Sequence, residues 1–331
     1  MNIQTAVNPP APRLAVVGKI MSIKPIEGAD RIVQAQVDCA TSGQWQAVVG
    51  LDYHVGQSVV VFLQDALLPV DPRWQFLGRS NWRIKMSRFR GVPSECLVIA
   101  DAIADELPLG ADLTAHFSVQ KYEKPIPSNM NGVAIAAFPT AIPKTDEINI
   151  QAALPLLARM AAEPWYATEK ADGTSCTVWM DETGLHVCSR NLELAEFDDS
   201  GQTNLYWRAA RQYHLDRLPQ GLALQFEIVG AGIQGNPMGL KAMEIRVFSL
   251  FDRTHRRYRS AHDLQAMCAQ LDLPMARWIF PEVQAGQALD VQTLQSWAAI
   301  RYANQQPAEG IVIRAADSSW SFKVINLLYK G

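Results

Sequence analysis

Residues 165–190 read WYATEKADGTSCTVWMDETGLHVCSR, and this stretch decides what kind of domain the chain builds. Residues 165–168 are β-type and should be extended. Thr174 opens an apolar strand at 174–180, and Asp181-Glu182-Thr183-Gly184 turns the chain into a second strand at 185–189. Between the extended run and the hairpin stands Lys170-Ala171-Asp172-Gly173. Alone, such a tetrapeptide is a charged β-turn; what distinguishes it is the company it keeps downstream.

Further strands are expected at 222–229, 244–251, 310–314 and 320–325, and helices at 149–162 (disturbed by Pro155), 204–213, 261–271 and 291–305. Upstream, residues 14–117 are short β-type runs (14–23, 31–37, 45–49, 58–63, 97–100) broken by turns. About five strands in about a hundred residues suit a small closed barrel of OB type. The segment KYEKPIPSNMN at 121–131 has two prolines and little aliphatic content, which places a boundary there. The expected organisation is α+β: a tail at 1–12, an OB-type barrel at 13–120, a linker at 121–131 and a larger domain at 132–331.

With 48% hydrophobic and 19% charged residues in 331, the chain is no disordered, collagen-like or coiled-coil protein. No apolar window is long enough for a membrane span, and MNIQTAVNPPAPR does not read as a signal peptide, so the expected compartment is the cytoplasm. Five cysteines without CxxC spacing and six scattered histidines argue against a disulfide framework or a zinc cluster. The run Gly230-Ala231-Gly232-Ile233-Gln234-Gly235 matches a dinucleotide fingerprint, but only residues 236–243, containing Pro237 and Gly239, separate it from the next strand. No crossover helix fits there, and the dinucleotide reading falls.

Charged residues embedded in the β-runs carry more weight. Arg190 ends the hairpin, Glu227 lies inside 222–229, Glu309 precedes Ile311-Val312-Ile313, and Lys323 follows Phe322. Burying an acid or an amine in a strand is costly unless it meets a partner, a ligand or a metal. With Lys170 these make five such groups in one domain, too many to dismiss as separate edge-strand or salt-bridge residues.

Their order resembles that of the covalent nucleotidyltransferases, the family of DNA ligases, RNA ligases and mRNA capping enzymes. Lys170–Gly173 resembles the nucleophile motif, Ser189-Arg190-Asn191 the hairpin arginine motif, and Phe226–Gly230 the ribose-contacting glutamate motif. Phe248–Asp252 resembles the base-stacking motif, Glu309–Arg314 the metal-binding glutamate motif, and Ser321-Phe322-Lys323 the terminal lysine motif. The lead-in Phe138-Pro139 to Pro143-Lys144-Thr145-Asp146-Glu147 is similar to that of the Deinococcus-type RNA ligases, in which an OB domain precedes a DNA-ligase-type, ATP-grasp-like domain of antiparallel sheets flanked by helices. Trp82–Lys85 with Arg88–Gly91 resembles that OB domain. One departure stands out: many relatives carry two lysines two apart in the last motif, and here Ser321 holds the first place, leaving Arg314, Lys330 or Lys144 to supply the contact.

The resemblance implies ATP and Mg²⁺ or Mn²⁺ as cofactors, with Lys170 attacking the α-phosphorus to give a lysyl-AMP. It implies that Lys323 holds the α-phosphate, that Glu309 (with Glu227) binds metal, and that Glu227 also takes a ribose hydroxyl. Arg190 then meets the sugar or 5′-phosphate, Glu169 flanks the nucleotide, and Asp172 acts on metal or the 3′-end. Phe251, next to Asp252, is the expected adenine-stacking ring, with Phe248 the alternative. The implied partner is a nicked RNA duplex with RNA at the 3′-OH side, and no membrane. Despite a net charge of −3, residues 79–90 hold Arg79, Arg83, Lys85, Arg88 and Arg90 with no acid, interleaved with Trp82 and Phe89, as nucleic-acid surfaces do. A second basic segment, 253–259, is the lesser candidate. A DNA ligase, an RNA guanylyltransferase and a non-catalytic RNA-binding protein are the alternatives; the early position of the OB-type domain favours RNA ligase.

Overall fold

The computed structural model describes residues 13–122, 132–283 and 289–329. The expected tail at 1–12, residues 123–131 of the expected linker, and Lys330 lie outside the described residues.

The five early β-runs form one antiparallel sheet. Its strands are β1 (Ala15–Pro25), β2 (Ile32–Asp38), β3 (Gln44–Gly50), β4 (Ser58–Phe62) and β5 (Leu97–Ile99), in the order β3-β2-β1-β4-β5. The sheet curls shut where the Glu95 N–H donates to the Gln46 carbonyl at 2.8 Å. Inside the barrel Val16, Ile20, Val37, Ala47, Val59 and Val61 pack together. The alternate residues Ala15, Val17, Val60 and Phe62 pack outward, against Trp74 and Phe117. Burial on both faces explains why the β4 run is continuously apolar instead of alternating.

The rest of the described chain builds two more antiparallel sheets. The smaller has the order β14 (Trp278–Val283), β7 (Trp165–Lys170), β15 (Gly310–Ala315), β16 (Ser321–Ile325). The larger has seven strands: β6 (Ala134–Ala137), β10 (Leu192–Leu194), β9 (Gly184–Cys188), β8 (Thr174–Asp181), β11 (Leu222–Val229), β12 (Glu244–Asp252) and β13 (Arg257–Tyr258). Helices cover one face of each: Leu205–Gln212 and Ala261–Leu271 pack on the larger sheet, Leu154–Ala162 and Val291–Trp297 on the smaller. The antiparallel sheets flanked by helices fit the α+β fold expected from the sequence.

Two helix expectations need correcting. The run expected at 149–162 is split: a 3₁₀ turn spans Ile150–Ala152 and the α-helix begins only at Leu154, with Pro155 in its first turn, where the missing N–H has no intrahelical partner to lose. The last helix starts after the N-cap Asp290, whose carboxylate accepts from Thr293 N at 2.7 Å, but stops at Trp297 rather than near 305. From there the chain turns, to reach β15 through Tyr302 and Glu309.

The open faces of the two sheets meet in a cleft, and period-two alternation decides what enters it. On β11, Phe226 and Ile228 join the core while Glu227 turns to the cleft; on β16, Phe322 and Val324 are core and Lys323 is cleft. The chain crosses from the smaller sheet to the larger between Lys170 and Thr174. Gly173 fits that crossing because a Cβ there would lie 2.1 Å from the Ile228 carbonyl oxygen.

Candidate active site

The cleft encloses about 580 Å³ and is lined by both sheets and by the barrel, a size suited to a nucleotide. Lys170, the last residue of β7, is at its centre. Its Nζ lies 2.7 Å from Glu309 Oε2. The pairing is set by strand register: Lys170 is opposite Gly310 across the β7–β15 ladder, so Glu309 begins where Lys170 ends. Burial works against the charged amine, but Glu309 and Glu227 outweigh it and hold the Lys170 pKa above its ordinary value. Burial pushes the Glu227 carboxyl up to about 8, against the pull of Lys170 and with the repulsion of Glu309 and Asp172. Lys323 is pulled down by burial and by Lys170. A lysine, two glutamates and a second lysine thus share one desolvated volume, an arrangement typical of reacting centres.

Around them stand the other expected residues. Glu169 is buried and ion-paired to Arg277 at 2.8 Å; burial raises its pKa, and Arg277 and Arg246 oppose the rise. Arg190, between β9 and β10, pairs with Asp146, which also takes Lys121 Nζ at 2.7 Å. Burial would raise the Asp146 carboxyl, but these two cations hold it well below the usual range. The Asp172 carboxylate accepts a hydrogen bond from the Tyr329 hydroxyl.

The structure corrects the choice of aromatic. Phe251 is 2% exposed and packs with Trp179, Phe138 and Ala223, away from the cleft. Phe248 lines the cleft, as does Val312 of β15, and its ring is backed by the Arg314 guanidinium 5.5 Å from the centroid. Arg314 does not take over the missing lysine's place: its guanidinium is committed to Glu147 at 3.0 Å and Thr168 at 3.1 Å, and Ser321 likewise donates to Glu147. Lys144 Nζ donates to Asn191 Oδ1 at 2.6 Å.

The basic segment of the barrel divides. Arg83 enters the cleft, ion-paired to Asp65 at 2.7 Å and stacked 4.1 Å from the Tyr122 ring centroid. Arg79, Lys85, Arg88 and Arg90 stay outside it, exposed, with Phe89. Arg88 donates to the Leu327 carbonyl at 2.8 Å, tying its hairpin to the far end of the chain. In the second basic segment Arg253 lies over Trp179 and Arg259 pairs with Asp252 and Asp263, so of its arginines only Arg256 and Arg257 are exposed.

Sequence reasoning missed Asp65 of the barrel, Lys121 and Tyr122 just past it, and Tyr302 and Tyr329, which touch the Lys170–Gly173 loop. Nothing local marks them, because each reaches the site through tertiary packing. Among the described residues no three His, Cys, Asp or Glu side chains converge on a point that would cage a metal by themselves. Glu309 fits Mg²⁺ or Mn²⁺ differently, because such ions commonly take one or two carboxylates and complete their shell with water and substrate phosphate.

Comparison with known proteins agrees with this geometry. The sequence family described as RNA ligase matches residues 163–328, and an OB-fold domain family matches 14–101. No curated protein sequence matches significantly. Among solved structures, the chain is similar to an RNA ligase of Naegleria gruberi with PPi, at 27% identity and TM-score 0.82, over 96% of this chain and 97% of that one. Two mutants of that ligase, one with AMP and Mn and one with ATP and Mn, match at 28% identity and TM-score 0.82, each over 95% of this chain and 97% of theirs. Half of the chain, from the edge of β7 to the end of β16, carries the family's sequence pattern, and the chain therefore belongs to the RNA ligase family.

Proposed function

We propose that this RNA ligase uses ATP to seal 3′-OH/5′-phosphate nicks through a lysyl-AMP on Lys170, with RNA on the 3′-OH side. The observation that carries the reading is Lys170 itself: one amine at the junction of two sheets, 2.7 Å from Glu309, with Glu227 and Lys323 in the same desolvated cleft. The Naegleria relative's structures with ATP and Mn and with PPi support ATP as the nucleotide and pyrophosphate as the group released.

In the first step the Lys170 lone pair forms a P–N bond to the α-phosphorus while the bond to pyrophosphate breaks. The amine must shed a proton, since only the neutral form attacks. Bound Mg²⁺ or Mn²⁺, held by Glu309 and assisted by Glu227, would supply charge neutralisation at the phosphates. With a cation against Glu309 its hold on the lysine proton would weaken, and Lys323, in the same cleft, opposes the charged amine. Lys323 holds the α-phosphate as a point charge, Glu227 accepts from a ribose hydroxyl, and Phe248 stacks on adenine. Glu169, fixed by Arg277, flanks the base. In the second step a 5′-phosphate oxygen displaces Lys170 from AMP, with Arg190 holding the sugar or the incoming phosphate. In the third a 3′-hydroxyl attacks the 5′-phosphate and AMP leaves, with Asp172 placing metal or the 3′-end.

In this reading residues 13–120 hold RNA and residues 132–331 carry the nucleotidyl transfer, joined by 121–131. The exposed Arg79, Lys85, Arg88 and Arg90, with Phe89, suit a strand leaving the cleft, while Arg83 works within it. Five free, buried cysteines suit a reducing compartment, and among the described residues no helix is long and apolar enough to cross a membrane. The buried thiols support the cytoplasm.

The test is incubation with α-labelled ATP and Mg²⁺ or Mn²⁺, wild type beside Lys170→Ala, followed on a denaturing gel. Covalent label that pyrophosphate reverses and the variant lacks is expected. Label from GTP alone would turn the reading to capping chemistry, and no label with either metal would leave an RNA-binding protein. Preferential sealing of all-DNA nicks would overturn the RNA assignment.

A further inference from the structure

Tyr302 lies in the turn between the helix Val291–Trp297 and β15. Its ring is 2% exposed, so its hydroxyl is buried with it and needs partners. Those partners are main-chain groups of the two segments that make the reacting pair. The hydroxyl oxygen accepts from Asp172 N at 3.3 Å and from Glu309 N at 3.3 Å, and its proton faces the Lys170 carbonyl at 3.5 Å. One atom thus spans the loop after β7 and the residue before β15.

The turn that carries Tyr302 is itself pinned. Tyr302 N donates to the Gln306 carbonyl at 2.9 Å, and the wholly buried Asn326 side chain donates to the carbonyls of Ile300 at 3.1 Å and Ala308 at 2.8 Å. The hydroxyl therefore acts as a fixed post rather than a mobile contact. Tyr302 is not among the residues lining the cleft, so it touches neither nucleotide nor metal directly.

We propose that Tyr302 is a positioning residue for lysyl-adenylate formation, its hydroxyl holding the Lys170 loop and the Glu309 backbone in a single register. The proposal rests on the ligase reading above and adds a residue to it. The β7–β15 ladder ends at Lys170 and Gly310, so no ladder hydrogen bond continues beyond them to align Asp172 with Glu309. Without the hydroxyl the two part-buried N–H groups lose their shared acceptor, and with it the direct link between the loop and the glutamate. Misplacement of reacting groups by about 1 Å costs about 100-fold in rate.

The experiment is Tyr302→Phe, which keeps the ring and removes one oxygen. Single-turnover formation of lysyl-AMP at saturating ATP should slow by about 10- to 100-fold, with the KM for ATP changed less than about threefold, because the proposed base and phosphate contacts lie elsewhere. The Mn²⁺ concentration for half-maximal rate should rise, since Glu309 is no longer held in place. Thermal melting of the same preparation separates this from loss of fold. An adenylation rate within about twofold of wild type with unchanged metal dependence would overturn the proposal. So would a variant that fails to fold, or one whose melting temperature, ATP affinity and rate fall together, as for a residue that merely supports the structure. A wild type that takes no label would fell the ligase reading and this proposal with it; a labelled wild type beside an indifferent variant would fell only the Tyr302 assignment.

Discussion

Phe248 and Phe251 lie three residues apart on β12 and point to different worlds, one to the cleft and one to the core. The pairing of β11 with β12 skips at that place: Gln225 is opposite Ser249 and Phe226 opposite Val247, leaving Phe248 as the extra residue of a bulge. Bulges re-aim side chains beside functional sites, and no residue type in Phe248-Ser249-Leu250-Phe251 announces one. The expected consequences separate cleanly. Phe248→Ala should raise the KM for ATP by about tenfold, the worth of one aromatic stacking contact at about 1–3 kcal/mol, with little change in melting. Phe251→Ala should cost about 3–5 kcal/mol of stability, as deletion of a fully buried ring does. Steady-state adenylation and urea unfolding of the two variants read both effects. By contrast Lys170, Glu227, Glu309 and Lys323 were legible as a set and in their order along the chain, because several charges at or inside the β-runs of one domain are hard to account for as separate surface residues.

The hairpin of β8 and β9 shows an element held by charge as well as by its ladder. His186 stacks flat on Trp179, ring centroids 4.8 Å apart, with Nε2 3.0 Å from Asp181 and Nδ1 2.6 Å from Glu193. Burial opposes the charged ring, but the two carboxylates outweigh it and raise the His186 pKa above 6.5. A histidine whose folded pKa is raised stabilises fully below its unfolded value, about 6.5, and loses that contribution as pH climbs through the folded value. His186→Gln should therefore cost about 1 kcal/mol at pH 5.5 and markedly less at pH 9, read by urea titration at both. A pH-independent difference would mean that stacking on Trp179, not charge, holds the ring. At this scale strands and caps were largely legible, whereas the early end of the last helix was not. Its residues have helical spacing through Arg301, yet the chain leaves the helix at Trp297, placing Tyr302 beneath the cleft.

Across the whole molecule, the barrel is docked on the ligase-family sheets by buried polar contacts. Glu95 of the barrel accepts from Gln151 Nε2 at 2.7 Å and Gln295 Nε2 at 2.9 Å. Gly43 passes so close to the Gln151 carbonyl that an added Cβ would lie 1.5 Å from the oxygen, and only glycine suits its φ of +92°. This seating brings Asp65, Arg83, Lys121 and Tyr122 to the cleft while leaving Lys85 and Arg90 on an outer surface. Charges that meet only phosphate contribute affinity and salt dependence rather than chemistry. The double variant Lys85→Ala with Arg90→Ala should weaken binding of a nicked RNA duplex by about tenfold at moderate salt and flatten the logarithmic salt slope by about 1–2. Its rate of lysyl-AMP formation should equal that of wild type. Binding and salt slope equal to wild type would move the RNA path away from this hairpin.

The amino-acid sequence by itself determined the two-part plan, most of the strands and the set of charged residues that fall in the cleft, because strand periodicity and buried-charge penalties act over a few residues. The tertiary structure alone decided which phenylalanine faces the cleft, which residues of and beside the barrel share it, and that one tyrosine hydroxyl joins Asp172 to Glu309. Those outcomes depend on a bulge, a domain seating and a closed turn, each fixed by contacts between segments far apart in the chain.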